Sequence, residues 1–112
     1  MRQQMVRTLT EILAADERVV ALLGNISVSH FDRRLFRARP QRIYDVGISE
    51  QAMVSMAAGL AMEGMIPVVH TIAPFLAERA FEQIKDDFCY QQLGGAFITI
   101  GASYDFRHPE EE

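Results

Sequence analysis

Apolar and polar residues alternate along the chain in two patterns. Helical spacing of apolar residues, together with start and stop signals, predicts helices over residues 3–15, 49–63 and 74–90. Short apolar runs bounded by turn residues predict buried strands over residues 18–23, 42–46, 66–71 and 96–100. Residues 29–37 fit either a helix or a loop. Because strands separated by helices form a parallel sheet with helices on both faces, the predicted fold class is α/β.

Single residues set the predicted boundaries of the second and third helices. Ser49 can cap the second helix, and Gly64 can end it. Pro74 suits the first turn of the third helix, because its missing N–H has no partner there in any case. Gly94 and Gly95 then separate this helix from the last strand.

The composition is that of a single globular domain. Of the 112 residues, 49% are hydrophobic and 23% are charged, and this length allows one modest core. The net charge of −4 gives no general reason to bind nucleic acid or an anionic membrane. The single cysteine, Cys89, excludes an internal disulfide and agrees with a reducing compartment. No apolar run approaches the roughly 20 residues that span a bilayer, so we expect a cytoplasmic protein.

Five arginines form the strongest concentration of charge in the sequence: Arg33, Arg34, Arg37, Arg39 and Arg42. The cluster could attract a sugar phosphate or an acidic partner chain, or it could be a solvated surface. It lacks the interleaved aromatic residues of single-strand nucleic-acid binders, which argues against nucleic acid as a partner. The histidines and the cysteine do not have the spacing of metal ligands, so no metal site is predicted in this chain.

Two candidate site residues follow predicted strands. Glu50 follows the strand that ends at Val46, and Phe75 follows the strand that ends near Thr71. Because sites in parallel sheets lie beyond the carboxyl ends of the strands, we expect both side chains at the same edge. An acid suits a ring nitrogen and an aromatic side chain suits a ring face, so the pair could hold a flat, nitrogen-containing ring. Alternatively, Glu50 is an ordinary acidic residue of a first helical turn, where the helix dipole favours anions.

Three segments carry a resemblance to a known family, namely residues 45–51, 59–61 and 75–80. From about Arg18 to Phe106 the chain resembles the pyrimidine-binding domain of transketolases and 1-deoxyxylulose-5-phosphate synthases. The resemblance implies a thiamine diphosphate-binding fold. It also implies a pyrimidine-binding domain over residues 1–106 that is cut short at its carboxyl end, followed by a solvated acidic tail over residues 107–112.

The resemblance implies roles for individual residues. Glu50 matches the glutamate that hydrogen-bonds the aminopyrimidine ring and promotes the imino tautomer, whose nitrogen removes the thiazolium proton. Phe75 matches the aromatic residue that packs against this ring, and Ile72 stands where relatives have a further aromatic residue. Gln51 and Met53 are weaker candidates, which could line the pocket or contact a partner, and a place in a helix core explains Met53 equally well.

Three further polar residues keep alternative interpretations. His70 precedes the turn that bears Phe75, so it could bind substrate or be a hydrogen-bonded histidine at a strand end. Arg79 and Gln83 lie four residues apart on one face of the predicted helix and could serve an interface.

The family motif that binds the diphosphate and its magnesium, Gly-Asp-Gly followed by Asn, is absent from this sequence. The resemblance therefore implies a partner chain, a diphosphate-binding transketolase-like subunit, with the active site shared in a homo- or hetero-oligomer. The implied activity is that of a transferase subunit in carbohydrate metabolism, which transfers a two-carbon ketol unit between sugar phosphates. The alternative is a catalytically inactive remnant or assembly module that retains the fold.

Overall fold

The computed structural model describes residues 1–101, which form a four-stranded parallel sheet with helices against it. The strands are β1 (Val19–Leu23), β2 (Ile43–Asp45), β3 (Ile66–Ile72) and β4 (Ala96–Ile100). The α-helices are α1 (Arg2–Ala15), α2 (Glu50–Met62) and the single turn α3 (Phe81–Gln83). The predicted α/β class is confirmed, and each of the four strands lies where the apolar runs predict it.

The strand order, β2-β1-β3-β4, fixes where the strand ends converge. β1 pairs with both neighbours, so that Ala21 is aligned with Ile43 of β2 and with Val68 of β3. From β1 the chain continues to β2 on one side and then crosses to β3 on the other side of β1. The direction of winding therefore reverses between β1 and β3. In open parallel sheets, the crevice beyond the carboxyl ends of such a pair is the usual ligand position.

Each face of the sheet carries a core, because the side chains of β1 alternate between the two faces. Val20 and Leu22 face α2, whereas Val19, Ala21 and Leu23 face α1. The core on the α2 side is completed by Met53, Val54, Ala57, Ala58, Val69, Leu76, Ala80 and Phe88. The core on the α1 side includes Val6, Leu9 and Leu13. The predicted placement of helices on both faces is therefore confirmed.

The helix predicted over residues 74–90 is not a continuous α-helix. Two wider π-helical turns, Phe75–Arg79 and Ile84–Cys89, flank the single turn of α3. A π-helical turn closes its hydrogen bonds over five residues instead of four and so changes which side chains share a face. Leu76 and Ala80, four residues apart in this segment, are both buried in the core on the α2 side.

Two predicted boundary signals have different outcomes. Ser49 directly precedes α2, but its side chain makes no capping hydrogen bond, so the predicted cap is wrong. Its backbone, at φ −154° and ψ 76°, departs from the extended conformation usual for a capping residue. Gly64 follows α2 with a φ of +87°, which confirms it as the stop. The ambiguous residues 29–37 include parts of two short 3-10 turns, Val28–His30 and Arg33–Arg37.

Within residues 1–101, no helix combines the length and the apolar character needed to cross a membrane. The predicted end of the domain at residue 106 and the predicted tail 107–112 lie outside the described residues.

Candidate functional site

Glu50, the first residue of α2, carries a buried carboxylate close to the carboxyl end of β3. Its side chain is 1% exposed. Oε1 accepts a hydrogen bond from Oγ1 of Thr71 at 3.2 Å, and Oε2 accepts one from Nη1 of Arg79 at 3.1 Å. Because an unpaired charge in a protein interior is strongly unfavourable, these two donors are what make the buried position tenable.

Arg79 connects Glu50 to Phe75. Its guanidinium carbon lies 4.2 Å from the centroid of the Phe75 ring, which is a cation–π contact. The Arg79 side chain is 40% exposed and Phe75 is half-buried, so this contact lies at the surface of the site. Glu50 and Phe75, which the sequence predicts at one edge of the sheet, are thus joined through a single planar cation.

Thr71 lies beside Gly24, the residue that follows β1. A Cβ atom on Gly24 would be 2.8 Å from Oγ1 of Thr71 and 3.4 Å from Cε of Met53. The amide of Gly24 donates a hydrogen bond to the carbonyl of His70 at 2.9 Å, which holds the two strand ends together. Gly24 therefore leaves the space that the Thr71 hydroxyl occupies, since any side chain would overlap it.

The other predicted pocket residues differ in their exposure. Met53 is fully buried in the core on the α2 side, and its Cε, like Oγ1 of Thr71, lies beside Gly24. Ile72 is half-buried at the end of β3, and Gln51 is exposed in the first turn of α2. Through these contacts the structure groups Glu50 and Phe75 with Thr71 and Arg79, while Met53 supports the group from the core.

His70 is fully buried and belongs to the other face of β3, because strand residues alternate and Val68 packs against α1. Its Nδ1–H donates to the carbonyl of Ile98 at 2.8 Å, since a carbonyl can only accept. Nε2 then accepts a hydrogen bond from the Ser27 hydroxyl at 2.9 Å. Burial lowers the pKa of His70, and the hydrogen bond to Ile98 opposes that shift. These surroundings fit a hydrogen-bonded structural histidine on the face away from Glu50.

Sequence reasoning missed Thr71 and Arg79 as partners of Glu50. A signal existed for Thr71, because the two-residue period of a strand places it on the same face as Val69, toward α2. Regular helical spacing also places Arg79 four residues after Phe75 on the same face, which agrees with the contact between the two side chains. The pairing of Arg79 with Glu50, 29 residues away along the chain, has no local signal.

The arginine cluster contains at least two different environments. Arg42 is half-buried, and its guanidinium donates to backbone carbonyls of Leu13, Asp16 and Val19. Arg34 is exposed and pairs with Asp32, and its hydrogen bonds lower the pKa of Asp32 to about 2. Among residues 1–101, no three His, Cys, Asp or Glu side chains are grouped so that they could hold a metal ion.

The chemistry of the site follows from these contacts. A buried carboxylate and an aromatic face converge on one position, and the group now in that position is flat, delocalised and rich in N–H donors. The arrangement is therefore suited to a planar nitrogen-containing group that offers a hydrogen bond from its edge and stacks through its face.

Comparisons with known proteins give a consistent result. The family described as transketolase, pyrimidine binding domain, matches residues 1–110. The chain is 47% identical over 98 residues to an uncharacterized 33.6 kDa protein in the fasciation locus of Rhodococcoides fascians, covering 88% of this chain and 31% of that protein. It is 42% identical over 95 residues to 1-deoxy-D-xylulose-5-phosphate synthase of Desulforudis audaxviator, covering 81% of this chain and 14% of that enzyme.

A solved structure described as split gene transketolase, inactive beta4 tetramer, has the same fold. It superposes with a TM-score of 0.71 at 34% sequence identity, covering 83% of this chain and 31% of that one. The chain thus spans about a third or less of the length of these relatives. The matches agree with the resemblance carried by residues 45–51, 59–61 and 75–80.

Proposed function

This chain belongs to the family of transketolase pyrimidine-binding domains, and on that premise we propose that it forms the pyrimidine-binding part of a thiamine diphosphate site. The observation that carries the proposal is the buried carboxylate of Glu50, joined through Arg79 to the ring face of Phe75. The aminopyrimidine of thiamine needs these same two partners, an acidic oxygen at its edge and an aromatic face. The residues present therefore fit this group.

Each residue of the site has a distinct task. Glu50 holds a proton between its carboxylate and a ring nitrogen, and Thr71 orients the carboxylate by donating to Oε1. Phe75 supports one face of the ring and excludes water from it. When bound, thiamine diphosphate supplies the carbon nucleophile that carries the transferred unit.

The overall activity that we propose is transfer of a two-carbon ketol unit between sugar phosphates, in cytoplasmic carbohydrate metabolism. Relatives named as 1-deoxy-D-xylulose-5-phosphate synthase and split gene transketolase support this chemistry. A partner chain, a diphosphate-binding transketolase-like subunit, binds the diphosphate and magnesium. The relative solved as an inactive beta4 tetramer supports a chain that assembles into an oligomer and needs a different subunit for activity.

Calorimetric titration of thiamine diphosphate with magnesium tests this proposal. The ligand is titrated into the chain alone and into its mixture with a candidate diphosphate-binding subunit. We expect binding in the mixture, weakened about tenfold or more by Glu50→Gln, because a charged hydrogen bond to the ring is lost. Glu63→Gln makes the same change at the exposed far end of α2 and should leave binding unchanged. Absence of binding in the mixture would overturn the proposal.

A second candidate function, assembly without catalysis, is favoured by the relative that was solved as an inactive tetramer. An assembly module would associate with the diphosphate-binding subunit in analytical ultracentrifugation. The same complex would show no heat of binding for thiamine diphosphate. The two functions therefore give opposite results in the titration.

A further inference from the structure

We infer that, in the free chain, the side chain of Arg79 takes the place of the aminopyrimidine ring, and we call it the placeholder. Its guanidinium occupies the position between Glu50 and Phe75 that a flat nitrogen heterocycle takes when it binds. The inference rests on the proposed function, because it concerns the same site. In this role, Arg79 determines which ligands enter the site and how tightly they bind.

A guanidinium and an aminopyrimidine offer the same features to this pair of residues. Both are planar and delocalised, and both carry N–H donors in the plane of the group. Nη1 of Arg79 lies 3.1 Å from Oε2 of Glu50 while the guanidinium carbon lies 4.2 Å from the Phe75 ring centroid. One planar group thus uses the acid and the aromatic face together. A ring that used both would overlap the guanidinium, so the two occupants exclude each other.

Arg79, and not Glu50, is the partner that moves. The Arg79 side chain is 40% exposed, whereas the Glu50 side chain is 1% exposed and is also held by Thr71. Arg79 is the last residue of a π-helical turn, and the backbone of Ala80 that follows, at φ −105° and ψ 17°, is not helical. Rotation of the long Arg79 side chain into solvent therefore opens the position without moving the buried carboxylate.

The placeholder lowers the apparent affinity of the site and raises its selectivity. The apparent dissociation constant is the intrinsic one divided by the fraction of molecules in which Arg79 has moved away. A guanidinium that is in place about nine-tenths of the time weakens binding about tenfold. An aromatic ligand without an N–H donor can replace the stacking on Phe75, but it leaves the Glu50 carboxylate with one donor fewer and is rejected.

Titration of this chain with thiamine, and with its free aminopyrimidine alcohol, tests the inference directly. Arg79→Met keeps a long unbranched side chain but removes the planar cation, so we expect both probes to bind about tenfold more tightly. Arg79→Lys keeps the charge without the planar group and should give an intermediate gain. Arg18→Met removes an exposed arginine that pairs with Asp16 far from this contact, and its binding should equal that of the wild type.

The outcomes separate this inference from the proposed function. Tighter binding to Arg79→Met that Glu50→Gln abolishes in the double variant supports the placeholder. Equal or weaker binding to Arg79→Met, while the wild type binds and Glu50→Gln binds at least about tenfold more weakly, overturns the placeholder and leaves the proposed function standing. Absence of binding of both probes to every variant, Arg79→Met included, overturns the placeholder. If the mixture with the diphosphate-binding subunit also fails to bind thiamine diphosphate, the proposed function is overturned as well.

A measurement on the wild-type chain needs no change to the site. The side-chain Nε–H resonance of Arg79 can be identified by its absence from the spectrum of Arg79→Met. With the guanidinium carbon 4.2 Å from the Phe75 ring centroid, we expect the ring current to shift this resonance. Saturation with the aminopyrimidine alcohol should move it to the position of a solvent-exposed arginine. A resonance that keeps its shift while the probe binds shows that the guanidinium stays in place, and it contradicts the inference.

Discussion

Gly24 and Thr71, at the ends of neighbouring strands, are so close that a Cβ atom on Gly24 would lie 2.8 Å from Oγ1 of Thr71. This hydroxyl is the one that donates to the buried carboxylate of Glu50. The hydrogen bonding of the site therefore depends on a residue that has no side chain of its own.

Replacement of Gly24 by alanine should destabilise the fold through this contact. The added methyl group must displace the β-branched side chain of Thr71, which has little freedom to rotate within β3. We expect Gly24→Ala to lower the free energy of unfolding by about 1–3 kcal/mol in urea denaturation. Gly59→Ala is the matched control, because no atom lies within 4 Å of a Cβ built at that position. Since alanine favours the helix over glycine, we expect this change to raise the free energy of unfolding by about 0.5–1 kcal/mol. Equal effects of the two changes would show that the close approach has no energetic consequence.

The ion pair between Arg79 and Glu50 should be visible as a coupling energy. Arg79→Met leaves the buried carboxylate with the Thr71 hydroxyl as its remaining side-chain donor among the described residues, so we expect a loss of about 1–2 kcal/mol. The exposure of Arg79 keeps this value below that of a fully buried pair. In the Glu50→Gln background, the same change should cost almost nothing. Additive effects in this double-mutant cycle, measured by chemical denaturation, would argue against the pair.

The stability of the chain should fall as the pH drops through the titration of His70. The folded-state pKa is lowered by burial, so below the ordinary pKa of 6.5 the unfolded chain takes up a proton before the folded chain does. Stability is therefore full above that value and is lost as the pH falls toward the folded-state pKa, by at most about 1.4 kcal/mol per pH unit. When the free energy of unfolding, measured by urea denaturation, is plotted against pH over this range, the slope should be shallower for His70→Gln than for the wild type. The exposed His30, changed to Gln, should keep the wild-type slope.

Arg42 should contribute to stability more than the rest of its cluster. Its guanidinium donates to the carbonyl of Asp16 at 2.8 Å and to that of Val19 at 3.3 Å, and also to the carbonyl of Leu13 near the end of α1. A cation at a helix carboxyl end is favourable and satisfies carbonyls that have no partner within the helix. We expect Arg42→Met to lower the thermal midpoint, with a loss of about 1–3 kcal/mol. The exposed Arg37, changed to Met, should have no comparable effect.

The fold could be predicted from the sequence because its signals are local. The valine-rich run that begins at Val19 is buried throughout, as a central parallel strand requires, and Gly64 adopts the positive φ that ends a helix. The common edge expected for Glu50 and Phe75 follows from parallel topology alone and agrees with their connection through Arg79.

The rest of the site depends on contacts that local patterns do not encode. Arg79 reaches Glu50, 29 residues away, from a π-helical turn that hydrophobic periodicity does not predict. The close approach of Gly24 to Thr71 depends on the pairing of two strands. The predicted cap at Ser49 was wrong because capping depends on backbone angles that the residue type only favours.

The contacts of Glu50 have a consequence for when the site comes into existence during folding. Its two side-chain partners lie 21 and 29 residues away along the chain. Contacts of such separation in a parallel sheet form late, since the entropy of loop closure must be overcome before they are made. A chain arrested before β3 docks onto β1 has no arrangement of acid and ring face to offer. A ligand of this site would therefore bind the native state alone and would not bind partly folded chains. Binding would raise the thermal midpoint of unfolding by stabilising completely folded molecules.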